Sequence, residues 1–186
     1  MLVVKKHSKS EFEEKKSKFI SHICPYSEFD SLLKTLKDEH PKARHFVYAY
    51  RYLNQYSQIV ENSSDDGEPK GTSGKPTLAP LQGKEIVNTA IITVRYFGGV
   101  KLGTGGLVRA YSDSANLAIK DAEFFEYEDE DEFVDEVEYS NLQRFEYLAN
   151  KHKIKIINKD FSQNVILTIK TTKEKYNNFK KELNFI

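Results

Sequence analysis

The segment Arg95–Ala115, RYFGGVKLGTGGLVRAYSDSA, holds five of the chain's nine glycines: Gly98, Gly99, Gly103, Gly105 and Gly106. It also carries three cations, Arg95, Lys101 and Arg109, and no acid before Asp113. Backbone N–H groups at a helix start are unpaired and partly positive, and glycine lets a ligand approach them closely. Fixed cations beside such a backbone suit an anion, phosphate above all. The spacing fits neither common nucleotide loop. Gly98 to Gly103 has the phosphate-loop interval, but Thr104 stands where the lysine belongs. After Gly103 and Gly105, Val108 takes the place of the last glycine in the dinucleotide pattern. A tight strand-to-helix turn that binds nothing fits the same residues, so both readings stay open at this point.

A second group lies in DDGEPKGTSGKP, Asp65–Pro76. Asp65, Asp66 and Glu68 are oxygen ligands that could surround a hard cation such as Mg²⁺, although their spacing is not that of an EF-hand. The preferred reading is local: the acids cap backbone N–H groups or pair with Arg44, Arg95 or Arg109. His45 sits beside Arg44 in KARHFVYAY and could donate to an anion or act as a general acid. A lone histidine on an aromatic strand is more often structural. No Ser-His-Asp or Cys-His arrangement is recognisable from spacing, so no catalytic residue is assigned. Phe46, Tyr48, Tyr50 and Tyr52 alternate along one strand face. They suit either a core or a platform on which single-stranded nucleic acid stacks.

These groups need elements to hold them. SKFISHI (17–23), HFVYAYRY (45–52) and EIVNTAIITVRYF (85–97) read as strands, the last apolar enough to be buried on both faces. SEFDSLLKTLKDEH (27–40) reads as a helix, with Ser27 and Asp30 at its start and Pro41 ending it. PTLAPLQG predicts a short helix with Pro76 at its first position. A longer helix is expected from 105 to 121, its inner face built from Leu107, Val108, Tyr111, Ala115, Ala118 and Ala122. Further on, strands at 133–139, 153–157 and 164–170 alternate with helices at 140–152 and 172–183. Capping boxes are expected at Ser140/Gln143 and Thr171/Glu174. The order β-α-β-β-α is ferredoxin-like without a fourth strand.

The totals bound the rest. The 186 residues suit one sizeable domain or two small ones. With 39% hydrophobic and 30% charged residues, the chain reads as globular. No run approaches the ~20 apolar residues of a membrane helix, so no membrane partner is expected. The start shows no signal core, and the single cysteine, Cys24, suits a small buried hydrophobe in a cytoplasmic protein. Net charge is zero but uneven. Residues 1–120 hold 18 Lys and Arg against 13 Asp and Glu, and the remainder 10 against 15. The acids concentrate in Asp121–Glu138, which has no basic residue. Such a shift marks a boundary or a solvated connector.

DDGEPKGTSGKP and RYFGGVKLGTGGLVRAY together closely resemble the YigZ/IMPACT family. The likeness is strongest from Ala43 to Ala115 and weaker elsewhere. It implies an α+β chain with two domains. Residues 1–125 would form a domain like the second domain of ribosomal protein S5, with a left-handed β-α-β arrangement. Residues 126–186 would form a ferredoxin-like domain similar to the fifth domain of the translocating elongation factor, short of its last strand. Eukaryotic members resemble regulators of translation in an amino-acid-starvation pathway and carry an extra N-terminal partner-binding domain. This chain is expected to lack that domain and the pathway role tied to it. What the resemblance implies here is a translation-linked factor that binds RNA or the ribosome and needs no cofactor. Its phosphate contacts would be Arg44, His45, Arg95, Gly98, Gly99, Lys101, Gly103, Gly105, Gly106 and Arg109. The acidic C-terminal domain would face a protein partner or shield the site. An enzyme acting on a small phosphorylated ligand and a protein adaptor without catalysis are the alternatives.

Overall fold

The computed structural model describes residues 1–184. The chain divides into two compact units, with the break between Tyr127 and Glu128. The first opens with β1 (Leu2–Val4), β2 (Ser8–Glu14), β3 (Ser17–Pro25) and α1 (Phe29–Glu39). It continues through β4 (His45–Leu53), β5 (Ile59–Ser64), α2 (Gly74–Gly83) and β6 (Thr89–Tyr96), and closes with α3 (Gly103–Asp121) and β7 (Phe124–Glu126).

Five strands form one antiparallel sheet in the order β2-β3-β6-β4-β5. β6 is central, and every residue from Thr89 to Arg95 is buried. The reason is a helical layer on each face. Phe29 and Leu36 of α1 close over Ile20, Cys24, Phe46, Ile92 and Val94. On the opposite face, Leu81 of α2 and Ala115, Ala118 and Ile119 of α3 meet Ile23, Ala49 and Ile91. β3 and β4 flank β6 and both run antiparallel to it, so they are parallel to each other and joined through α1.

The tyrosine strand belongs to this packing. Tyr26 stacks on Tyr52 at 4.2 Å, and Phe29 meets Tyr48 and Tyr50 at 5.0 and 5.2 Å. The rings are thus engaged in packing against α1 and the turn before it, with Phe46 buried and Tyr48, Tyr50 and Tyr52 half-buried.

Several local expectations need correction. β6 starts at Thr89, because Glu85 and Asn88 take left-handed φ of 51° and break the extended run. α3 starts at Gly103, and Val108 faces solvent instead of the core. Pro76 is the third residue of α2, behind Gly74 and Lys75. Ser27 and Ser140 fall in short 3-10 turns ahead of their helices and cap neither. The cap of the last helix is Thr172, whose hydroxyl accepts from the Lys175 N–H at 3.2 Å. Thr171 is a buried strand residue. β2 and β5 give weak signals in sequence, since their inward positions include Ser8, Ser10 and Ser64 instead of large apolar residues.

The second unit runs β8 (Asp131–Val137), α4 (Leu142–Lys151), β9 (Lys155–Phe161), β10 (Val165–Thr171), α5 (Lys173–Leu183). Its antiparallel sheet has the order β8-β10-β9, and Phe145, Leu148 and Phe179 pack on Val165, Leu167 and Ile169. Among the described residues no fourth strand lies beside β8. The acidic run straddles the break between units. Counted to Tyr127, the first unit holds 18 basic and 16 acidic residues, a surplus of only +2.

Candidate functional site

The register of the large sheet sets the site. His45 on β4, Arg95 on β6 and Phe19 on β3 are direct neighbours across the strands, so their side chains share the face that α3 covers. The Arg95 guanidinium lies 5.5 Å from the Phe19 ring centroid and 5.9 Å from that of Phe97. It is 7% exposed. A cation that deep needs a partner, and the DDGEP loop supplies one. Glu68, its side chain 4% exposed, accepts from Arg95 Nη1 at 2.6 Å and from the Tyr111 hydroxyl of α3 at 2.7 Å. Burial and the Glu68 charge both raise the Tyr111 pKa, so its hydroxyl keeps its proton and donates. Ser17 completes the group: its Oγ accepts from Arg95 Nη2 at 3.4 Å and from the Gly98 N–H at 3.2 Å. Arg95 Nε is buried and has no partner among the described residues.

The loop that delivers Glu68 is built around Asp65. Its carboxylate accepts from the N–H groups of Gly71, Ser73 and Gly74 and from the Ser73 hydroxyl, at 2.7–3.1 Å. Burial alone would raise its pKa. The bonds from Gly71, Gly74 and Ser73 together outweigh that and hold it below the usual carboxylate range. Asp66 accepts from the Phe46 N–H at 2.5 Å, and its carbonyl accepts from His45 Nδ1 at 2.9 Å. A carbonyl only accepts, so Nδ1 carries a hydrogen; Nε2 then lies 4.0 Å from Glu68. The three acids thus serve three different partners. Among the described residues no group of three His, Cys, Asp or Glu side chains could hold a metal.

Outside this buried group lies a cleft of about 590 Å³, lined by Lys42, Arg44, His45, Arg95, Tyr96, Phe97 and Lys101. Lys42, Arg44 and Lys101 are exposed, and none forms an ion pair among the described residues. Glu68 reaches this lining but is already paired with Arg95, and the Asp66 carboxylate sits on the Phe46 N–H beside His45. The cleft therefore keeps three cations outside any ion pair among the described residues.

Of the residues expected to contact phosphate, the cleft unites Arg44, His45, Arg95 and Lys101. Arg109 lies elsewhere, in a small hollow with Phe12, Glu14, Lys15, Gly106 and Asp113, where two acids stand beside two cations. Gly98 has a structural reason. A Cβ there would stand 2.0 Å from the Lys16 carbonyl carbon, so only glycine lets the β2–β3 turn close onto the loop. Gly99 and Gly103 take left-handed φ of 85° and 73° on the way into α3, and Gly105 and Gly106 already belong to that helix. Lys42 and Phe97 were not singled out in sequence. Lys42 lies two residues before Arg44 in PKARH, and Phe97 looks like a strand end.

Comparison with known proteins gives consistent matches. A model of the Impact N-terminal domain matches residues 15–119, and a domain of unknown function (DUF1949) matches residues 136–184. An IMPACT family member of Haemophilus influenzae is 35% identical over 177 residues, 92% of this chain and 86% of that protein. The IMPACT family member YigZ of Escherichia coli is 36% identical over 160 residues, 84% of this chain and 78% of that one. A crystal structure described as that of a hypothetical protein superposes with a TM-score of 0.71 at 33% identity, covering 98% of this chain and 90% of the other.

Proposed function

The chain belongs to the IMPACT family, and we propose that it is a translation-linked factor that holds RNA, free or on the ribosome, by its phosphates. The observation that carries this reading is the cleft with three unpaired cations, Lys42, Arg44 and Lys101, around the half-buried His45. Phosphate contacts of this kind position a nucleic acid without reading its sequence, and they weaken as salt rises. The translational setting comes from the resemblance to eukaryotic family members that regulate translation.

Co-sedimentation with ribosomes and with total RNA across a salt series tests it. Arg44→Ala and Lys101→Ala are the useful variants, since both side chains are exposed. Arg95 is a poor choice because its removal strands buried Glu68. Binding is expected to weaken with salt and with either variant, while Arg109→Ala leaves it unchanged. Pelleting that ignores both salt and the variants would overturn the reading.

A small phosphorylated ligand is the second reading, favoured by size: about 590 Å³ lies within the roughly 300–1,000 Å³ of small-molecule sites. A rise in Tm with nucleotides, in the absence of RNA binding, would select it.

A further inference from the structure

We propose, resting on the reading of the cleft as a phosphate site, that Phe97 is a base-stacking residue. The cleft then takes single-stranded nucleic acid in preference to duplex. Phe97 directly follows the buried central strand, yet it is 58% exposed and lines the cleft with Arg44, Arg95 and Lys101. Its backbone is anchored on both sides. Before it, Tyr96 is paired with Lys18 in the β3–β6 ladder. After it, Gly98 donates to Ser17 and lies against the Lys16 backbone. An aromatic ring held in water on a fixed backbone, among cations, is the arrangement that stacks an unpaired base while the neighbouring phosphates meet the cations. A base inside a duplex is already stacked on both faces and cannot reach such a ring. Stacking on a ring does not depend on the sugar, so single-stranded DNA is expected to bind as well.

The chain contains no tryptophan, so Phe97→Trp introduces one reporter at the site. The experiment uses the full chain, a short oligouridylate, its deoxy counterpart, and an RNA duplex of equal charge. Anisotropy gives affinity, and F97W emission gives stacking. Phe97→Leu is expected to weaken the single strands about tenfold and leave the duplex unchanged. Both single strands should quench F97W, and the duplex should not. Equal loss for single strand and duplex in Phe97→Leu would overturn the stacking role. So would F97W emission that is unmoved at saturation, provided Lys101→Ala still weakens binding. If no oligonucleotide binds the wild type at low salt, the phosphate reading fails first and this inference fails with it.

Discussion

At the scale of single residues, Arg95 and Glu68 depend on each other. Removing one side of a buried, hydrogen-bonded ion pair leaves the other charge buried without its counter-charge. Arg95→Ala is therefore expected to cost about 3–5 kcal/mol of stability, read as a fall in the urea midpoint. Lysine is a poor replacement, because Arg95 reaches Glu68 and Ser17 with separate nitrogens. Asp65 is comparable within its loop. Asp65→Ala leaves four donors open and should cost about 2–3 kcal/mol. Its lowered pKa in the folded state gives a sign as well. The ionised form is favoured by folding, so its contribution is present above the unfolded-state pKa and is lost as pH falls through the folded one. Asp65→Asn should flatten that acid limb of a stability-against-pH curve.

The sequence makes some of these residues legible and others not. The acids of DDGEP read correctly as local caps and arginine partners, since a run of turn formers has few other uses for carboxylates. That Glu68 would choose Arg95, and that Tyr111 would join them, depends on the β4–β6 register and on α3 crossing the sheet. Neither is a property of local spacing. Likewise Arg109 shares a segment with Arg95 but is carried to another surface by the first turns of the helix.

Elements carry their own consequences. β2 and β3 are joined through Lys15 and Lys16, both in the left-handed region at φ of 47° and 65°. Such turns prefer Asn-Gly, and each non-glycine residue there is strained. Lys16→Gly is expected to stabilise the protein by about 1 kcal/mol, measured by thermal unfolding. On β3, His22 is buried and bonds His7 at 2.9 Å. Burial, reinforced by His7, His40 and Lys9, pushes its pKa down to about 4. The unfolded chain therefore binds more protons than the folded one between about pH 6.5 and 4. Stability should fall across that window on acidification, by an amount on the order of 3 kcal/mol. His22→Leu should remove that step. The strong apolar run of β6 was plain in sequence, whereas β2 and β5 were hidden by serines, because burial against small polar neighbours leaves no hydrophobic alternation to read.

For the whole molecule, charge is local. A surplus of +2 over the first unit gives little long-range steering. The three cleft cations outside ion pairs must supply the attraction. With three of them, log affinity against log salt should slope at about −2 for a single strand. A much steeper slope would point to a second surface. β1 pairs with β7, so that Leu2 lies opposite Glu126. Leu2 also bonds Glu85 and Val87 on its other side, so during synthesis β1 meets that segment first and must wait for almost the whole first unit before its strand partner exists. At about 5–20 residues per second that delay is roughly 6–25 s. The nascent chain passes through an interval in which the five-stranded sheet can form while β1 still lacks β7. The last pairing in the unit is therefore timed by translation itself.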